Sequence, residues 1–214
     1  MKHPDPRLEA YCALLASAPM SLTSIRDPER LWSLHIDDAL TALPLVRRLA
    51  PVSAVDVGSG GGSPGIPIAV VAGVTVTLLE ATGSKCMFLR GAVTALDVAC
   101  PVVQDRSEHF ARGAGREAFD LAMARALAPP AVAAELCLPL VRIGGHVLLW
   151  TADIDVEPLE RAAAHVGGAL AETVVAGPNR RLMVLAKASP TPDSFPRRPG
   201  MANTRPLVRV RSRT

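Results

Sequence analysis

The sequence predicts a Rossmann-like α/β fold, a mostly parallel sheet with helices on both faces. Three observations carry that expectation. Between residues 52 and 187, short apolar runs of strand character alternate with helix-period segments, the pattern of βαβ units. The first run ends at Asp56 and leads straight into a glycine-rich turn over 58–65. The second run ends in Glu80, 22 residues after Gly58, where a second-strand carboxylate belongs in a nucleoside-binding sheet.

The elements follow in order. Residues 1–50 read as helical, with a short segment over 11–16 and a firmer helix starting at Asp27. Asp27 is a good N-cap, and Pro28 suits the first helical position because its missing N–H is not needed there. Leu31, Leu34, Ala39 and Leu43 keep an apolar face at helical spacing until Pro44 bends or ends the segment. Strands are expected over 52–57, 74–80, 101–104, 119–123 and 146–150, the last entered through a Gly144-Gly145 turn. Helices are expected over 66–72, 84–98, 131–141 and 157–166. Two further strands, 171–175 and 182–186, form a hairpin around Gly177-Pro178-Asn179, which brings the strand count to seven. Beyond Lys187 the chain is rich in Pro and Arg and carries no core pattern. The organisation expected is a helical region at 1–50, the α/β domain at 51–188 and a basic tail at 189–214.

Composition narrows the classes. The 214 residues are 49% hydrophobic and 20% charged, ordinary for one soluble domain with appendages. Aromatics make up only 3%, so a base-stacking platform is not expected. The net charge of +3 conceals an asymmetry: residues 194–214 hold six arginines and no acid, leaving 17 basic against 20 acidic residues in 1–193. A basic tail on a mildly acidic body suits an anionic partner such as nucleic acid, or else is a solvated terminus. Cys12, Cys86, Cys100 and Cys137 lie far apart without histidine ladders, so no metal site is expected, and the last three sit in apolar stretches as buried thiols. The longest apolar stretch, 66–79, is interrupted by Gly73 and two threonines and is too short to span a bilayer. A monomeric cytoplasmic protein with no membrane association is the expectation.

The glycine loop carries the chemistry. Asp56-x-Gly58-x-Gly60 places an acid at a strand end ahead of glycines, the usual first motif of one class of methyltransferase. An acidic strand end suits S-adenosylmethionine, whose sulfonium is cationic and which has no pyrophosphate for a helix N-terminus to favour. Gly58 and Gly60 would let backbone approach this cofactor, and Glu80 would accept hydrogen bonds from its ribose hydroxyls. Gly60-x-Gly62-x-x-Gly65 also fits the dinucleotide fingerprint, so an oxidoreductase or a purely structural glycine loop stays open on spacing alone.

Three stretches together resemble the glucose-inhibited division protein B family, the 16S rRNA guanine-N7 methyltransferases. They are Leu22-Thr23-Ser24-Ile25-Arg26-Asp27-Pro28 with His35-Ile36-Asp37-Asp38, the loop from Asp56 through Pro64-Gly65-Ile66-Pro67, and Pro190-Thr191-Pro192 with Phe195-Pro196-Arg197-Arg198-Pro199-Gly200, Asn203 and Pro206-Leu207. The resemblance implies a seven-stranded class I methyltransferase sheet and S-adenosylmethionine as donor. Its implied substrate is one guanine in the decoding-site loop of 16S rRNA, presented as RNA or as a small-subunit assembly intermediate. Carried over by position, Gly58, Ser63, Glu80, the Ser107-Glu108 pair and Arg125 would contact the cofactor. Ser63 and Ser21 depart from the family's common Leu and Asn.

For the RNA, the candidates are His35, Arg106, Arg197 and Arg198. His35 and Asp38, three residues apart, share a helix face and either reach the RNA or hold the helix on the body. No Ser-His-Asp or paired-carboxylate set stands out, and none is needed: guanine N7 already offers a lone pair, so no catalytic base is expected. A different methyltransferase, or a non-catalytic RNA-binding assembly protein on the same fold, is the competing reading.

Overall fold

The computed structural model describes residues 3–18, 22, 25 and 27–208. Leu22, Ile25 and Asp27 of the N-terminal signature are among them, while Ser21, Thr23, Ser24, Arg26, Arg209, Arg211 and Arg213 lie outside the described residues. The strands form one seven-stranded sheet, and by contacts the chain divides into two compact units, Met1–Asp105 and Arg106–Thr214.

The first unit opens with α1 (Pro6–Ser17), capped by Asp5, whose side chain accepts the Arg7 N–H at 3.0 Å. This helix starts five residues before the expected segment. α2 (Pro28–Trp32) begins as expected, with Asp27 accepting from the Arg30 N–H at 2.8 Å. It then widens into a π-helical turn over Ser33–Asp37 before closing as α3 (Asp38–Leu40). The Trp32 indole N–H reaches Asp37 Oδ1, five residues on, at 2.8 Å. Pro44 stands in the first turn of α4 (Leu43–Leu49), so it breaks the preceding helix by opening a new one.

β1 (Ser53–Val57), β2 (Thr75–Glu80) and β3 (Val102–Gln104) pair in parallel, with Val57 opposite Leu79 and Glu80 opposite Gln104. The crossovers are α5 (Gly65–Ala72) and α6 (Gly83–Leu96). Val55, Ile66, Ile68, Val76, Leu78 and Leu89 make the aliphatic core, each fully buried. α5 is apolar on all sides because six of its eight residues are buried.

The second unit holds α7 (Ser107–Phe110), β4 (Phe119–Arg125), α8 (Pro130–Cys137), β5 (Val141–Thr151), α9 (Glu157–His165), β6 (Gly168–Gly177), β7 (Arg180–Lys187) and α10 (Met201–Thr204). β4 and β5 are parallel; β7 runs antiparallel to both β5 and β6. The whole order is β3-β2-β1-β4-β5-β7-β6. The expected hairpin is present, with Gly177 opposite Arg180 across a two-residue loop.

Three expectations are corrected. The helix expected over 131–141 ends at Cys137, and a 3-10 turn over Leu138–Leu140 with Pro139 at its start leads into the strand at Val141. Gly144-Gly145 is not a turn between elements but an irregularity inside β5, where pairing jumps from Phe119–Val141 to Leu121–His146. A Cβ on Gly145 would stand 2.6 Å from the Asp120 carbonyl oxygen, so only glycine lets the strands close there. The tail is the third. It contributes side chains to the core at Ala202, which packs with Val132 and Leu136, and at Val208, which packs with Ala131 and Ala162. All four cysteines are buried, Cys12 included. No helix among the described residues is long and apolar enough to cross a membrane.

Candidate functional site

In the first unit, the glycine loop is fastened to the end of β2 by three hydrogen bonds. The Gly58 and Ser59 amides both donate to the Leu79 carbonyl, at 2.8 and 3.1 Å. Glu80 then completes the clasp: Oε2 accepts the Gly60 N–H at 3.0 Å and Oε1 the Thr82 N–H at 2.8 Å. Gly60 turns with φ +57°, a left-handed conformation that a side chain would resist. The Thr82 hydroxyl is a third donor to this carboxylate, and two oxygens with about four acceptor sites keep capacity for a ligand hydroxyl. Burial by itself would raise the Glu80 pKa. The Thr82 amide and hydroxyl, the Gly60 amide and the nearby Lys85 charge outweigh it and hold the carboxyl below its ordinary 4.5. A buried, ionised acceptor at a parallel strand end fits a ribose diol.

Asp56 does something different from what its strand-end position suggested. It is 1% exposed, and its Oδ2 accepts the Gly65 N–H at 3.0 Å, at the first turn of α5. Its carboxylate therefore braces the loop from beneath. A Cβ on Gly65 would lie 2.8 Å from Asp56 Oδ2 and 2.6 Å from Leu78 Cδ2, so glycine is required by close approach.

Two N-terminal contacts hold the loop from its other side, and sequence reasoning found neither. The hydroxyl of Tyr11, the chain's only tyrosine, donates to the Gly61 carbonyl at 2.8 Å. Ser63 Oγ donates to the His35 carbonyl at 2.7 Å, joining the loop to the π-helical turn. Ser63 thus uses its hydroxyl within the protein, and His35, half-buried, enters through its backbone. The π turn also departs from the regular α-helical spacing assumed for His35 and Asp38.

In the second unit, Arg106 is exposed at the N-cap of α7, followed by half-buried Ser107 and buried Glu108. Ser107 Oγ lies 3.3 Å from Glu108 Oε2, and Oε1 accepts the Gly200 N–H at 2.8 Å. Arg125 is the last residue of β4, half-buried, and Ala126 after it turns with φ +55°. Arg197 has an occupation its sequence position did not signal. Its Nε and Nη2 meet the two oxygens of Glu135, both at 2.6 Å, and Nη1 donates to the Arg205 carbonyl. Glu135 is 2% exposed at its side chain, so this guanidinium is committed to a buried carboxylate. Arg198 stands exposed beside it.

The family model for rRNA small subunit methyltransferase G matches residues 5–178. The chain belongs to that family. The enzyme of the same name from Staphylococcus carnosus is 35% identical over 95% of this chain and 90% of its own length. That from Rubrobacter xylanophilus is 37% identical over 94% and 82%. Membership of the family bears out the methyltransferase reading, and with it S-adenosylmethionine as cofactor. Among solved structures, MtNAS in complex with MTA and tNA aligns with a TM-score of 0.59 at 16% identity, covering 86% of this chain and 71% of that one. TrmN from Thermus thermophilus aligns with a TM-score of 0.52 at 22% identity, covering 70% and 48%. At such identities these likenesses speak for the fold alone.

Proposed function

We propose that this member of the rRNA small subunit methyltransferase G family transfers the methyl group of S-adenosylmethionine to N7 of one guanine in the decoding-site loop of 16S rRNA. The observation that carries the cofactor half is the Glu80 clasp, an ionised carboxylate at the end of β2 that also holds the Gly60 amide. The substrate half rests on family membership and on the chemistry of the base.

Bound cofactor supplies an electrophilic methyl on a cationic sulfur. In the proposed site, Glu80 receives the ribose hydroxyls, and Gly58 and Gly60 bring backbone close to the ligand with no Cβ between. Ser63 serves this site indirectly, by fixing the loop to the His35 carbonyl. Arg125 is suited to fork onto a carboxylate. Ser107 and Glu108 are taken as the cofactor contacts that follow β3.

Little else is required of the protein. The N7 lone pair attacks the methyl carbon as the carbon–sulfur bond breaks; the base becomes cationic and the sulfur leaves neutral. No proton moves, so rate is gained by holding the two reactants in line and excluding water. In an A-form helix N7 faces a groove too deep and narrow for side chains, so the guanine must be presented in a loop. Exposed Arg106 and Arg198, with the turn at His35, are the proposed RNA contacts, and the protein is proposed to act as a cytoplasmic monomer on the small subunit or its assembly intermediate.

The test is methyl transfer from labelled S-adenosylmethionine to small subunits taken from cells lacking the enzyme. Label in 16S rRNA with the wild type, and its loss with Glu80→Ala, is the expected result. Cofactor binding without label in any RNA would instead mark a non-catalytic assembly protein.

A further inference from the structure

The segment after β7 is strapped to the second unit by side chains that reach for its backbone. Lys187, wholly buried, donates to the Val166 carbonyl and to Thr191 Oγ1, and pairs with Glu117 at 3.3 Å. Arg116 donates to the carbonyls of Thr191 and Phe195, at 2.7 and 2.8 Å, and Arg112 to that of Pro196. Arg197 locks onto Glu135 with two bonds and onto the Arg205 carbonyl with a third. Those two anchor points, Arg197 and Arg205, bracket Gly200. At Gly200 the chain turns with φ +79° and aims its N–H at Glu108 Oε1, 2.8 Å away.

We propose that residues 195–205 are a positioning element of the cofactor site, with Arg197 as its anchor. Arg197 holds the turn, the turn holds the Gly200 N–H, and the N–H fixes the orientation of the buried Glu108 carboxylate. This rests on the reading of Glu108 as a cofactor contact. Glu108 receives one backbone donor and the Ser107 hydroxyl, so both oxygens keep acceptor capacity for a donor on the ligand. Arg197 touches no ligand in this scheme and is a positioning residue. The inference replaces the sequence-based expectation that Arg197 contacts the RNA. Coupling of this kind is reciprocal: if the strap raises affinity for the cofactor, the cofactor must stabilise the strap.

Calorimetric titration with S-adenosylmethionine, at a temperature where circular dichroism shows each variant folded, tests the affinity side. Arg197→Ala should weaken binding about fivefold or more, the lower end of typical couplings, and Arg197→Lys should recover part of the loss. In a Glu108→Ala background, Arg197→Ala should add nothing further. Wild-type affinity in folded Arg197→Ala, alongside weakened Glu108→Ala, overturns the proposal and leaves Glu108 as a cofactor contact. Wild-type affinity in Glu108→Ala removes the premise itself, and the proposal with it. Should Arg197→Ala fail to fold, hydrogen exchange in the unaltered protein decides. Saturating cofactor should slow exchange of the Gly200 amide about fivefold or more, and an unchanged rate overturns the proposal.

Discussion

Glu80 and Gly60 are twenty residues apart in sequence and 3.0 Å apart in space, carboxylate oxygen to amide nitrogen. This bond joins the glycine loop to the acid that ends the next strand, so loop shape and the proposed ribose acceptor are one mechanical unit. Glu80→Gln tests it. The amide can satisfy only one of the two backbone donors with its oxygen and sets an NH2 against the other. Hydrogen bonds to a charged group are each worth about 1.5–3 kcal/mol, and one such loss is expected in thermal or denaturant unfolding. Calorimetry should show weaker cofactor binding as well.

The same carboxyl sets an acid limit. Its folded pKa lies below the ordinary 4.5, so its contribution to stability is present above 4.5 and is lost as pH falls through the lower folded value. Cofactor affinity should therefore stay level from neutral pH down to 4.5 and decline as pH falls through the lower folded value. Titrations across pH, compared with Glu80→Gln, check this; the variant should lack that acid-side decline.

Gly65→Ala should cost about 1–3 kcal/mol, because the new Cβ collides with Asp56 and Leu78 in a packed interior. Denaturant melts measure it directly. A neutral result would mean that α5 can shift away from β1 without loss.

Tyr11→Phe should destabilise by about 0.5–1.5 kcal/mol, the net worth of one hydrogen bond, by freeing the Gly61 carbonyl. Chemical denaturation of the two proteins side by side is sufficient. Cofactor affinity should fall with it, since Gly61 lies inside the loop.

What the sequence made legible is what is local. An acid, a glycine run and a second acid at strand ends are read within about thirty residues, and the loop, β1, β2 and Glu80 stand where expected. The start of α1 was equally readable, because Asp5-Pro6 repeats the Asp27-Pro28 signal, and a start at residue 11 overlooks it. The rest depended on partners far along the chain. Tyr11 finds Gly61 across 50 residues, Arg197 finds Glu135 across 62, and Gly200 finds Glu108 across 92. Such pairs leave no periodicity, so an arginine in a basic tail looks the same whether it awaits phosphate or grips a buried carboxylate. Asp56 is the converse: its position at the strand end was visible, its inward turn to Gly65 was not.

Arg198, exposed where Arg197 is committed, is the cleaner probe of the tail's role in RNA binding. If it meets one phosphate on a single strand, Arg198→Ala should flatten the slope of log affinity against log salt by about 0.7. Filter binding at several salt concentrations reads this, and an unchanged slope would place the RNA elsewhere.

The most direct measurement is the identity of the methylated atom. Small subunits from cells lacking the enzyme are incubated with the protein and labelled S-adenosylmethionine, and the 16S rRNA is digested to nucleosides and analysed by mass spectrometry. Strand scission specific to N7-methylguanine then locates the position. One methyl at N7 of a single guanine in the decoding-site loop is the predicted result; label on a ribose oxygen, on adenine, or spread over many guanines would contradict it.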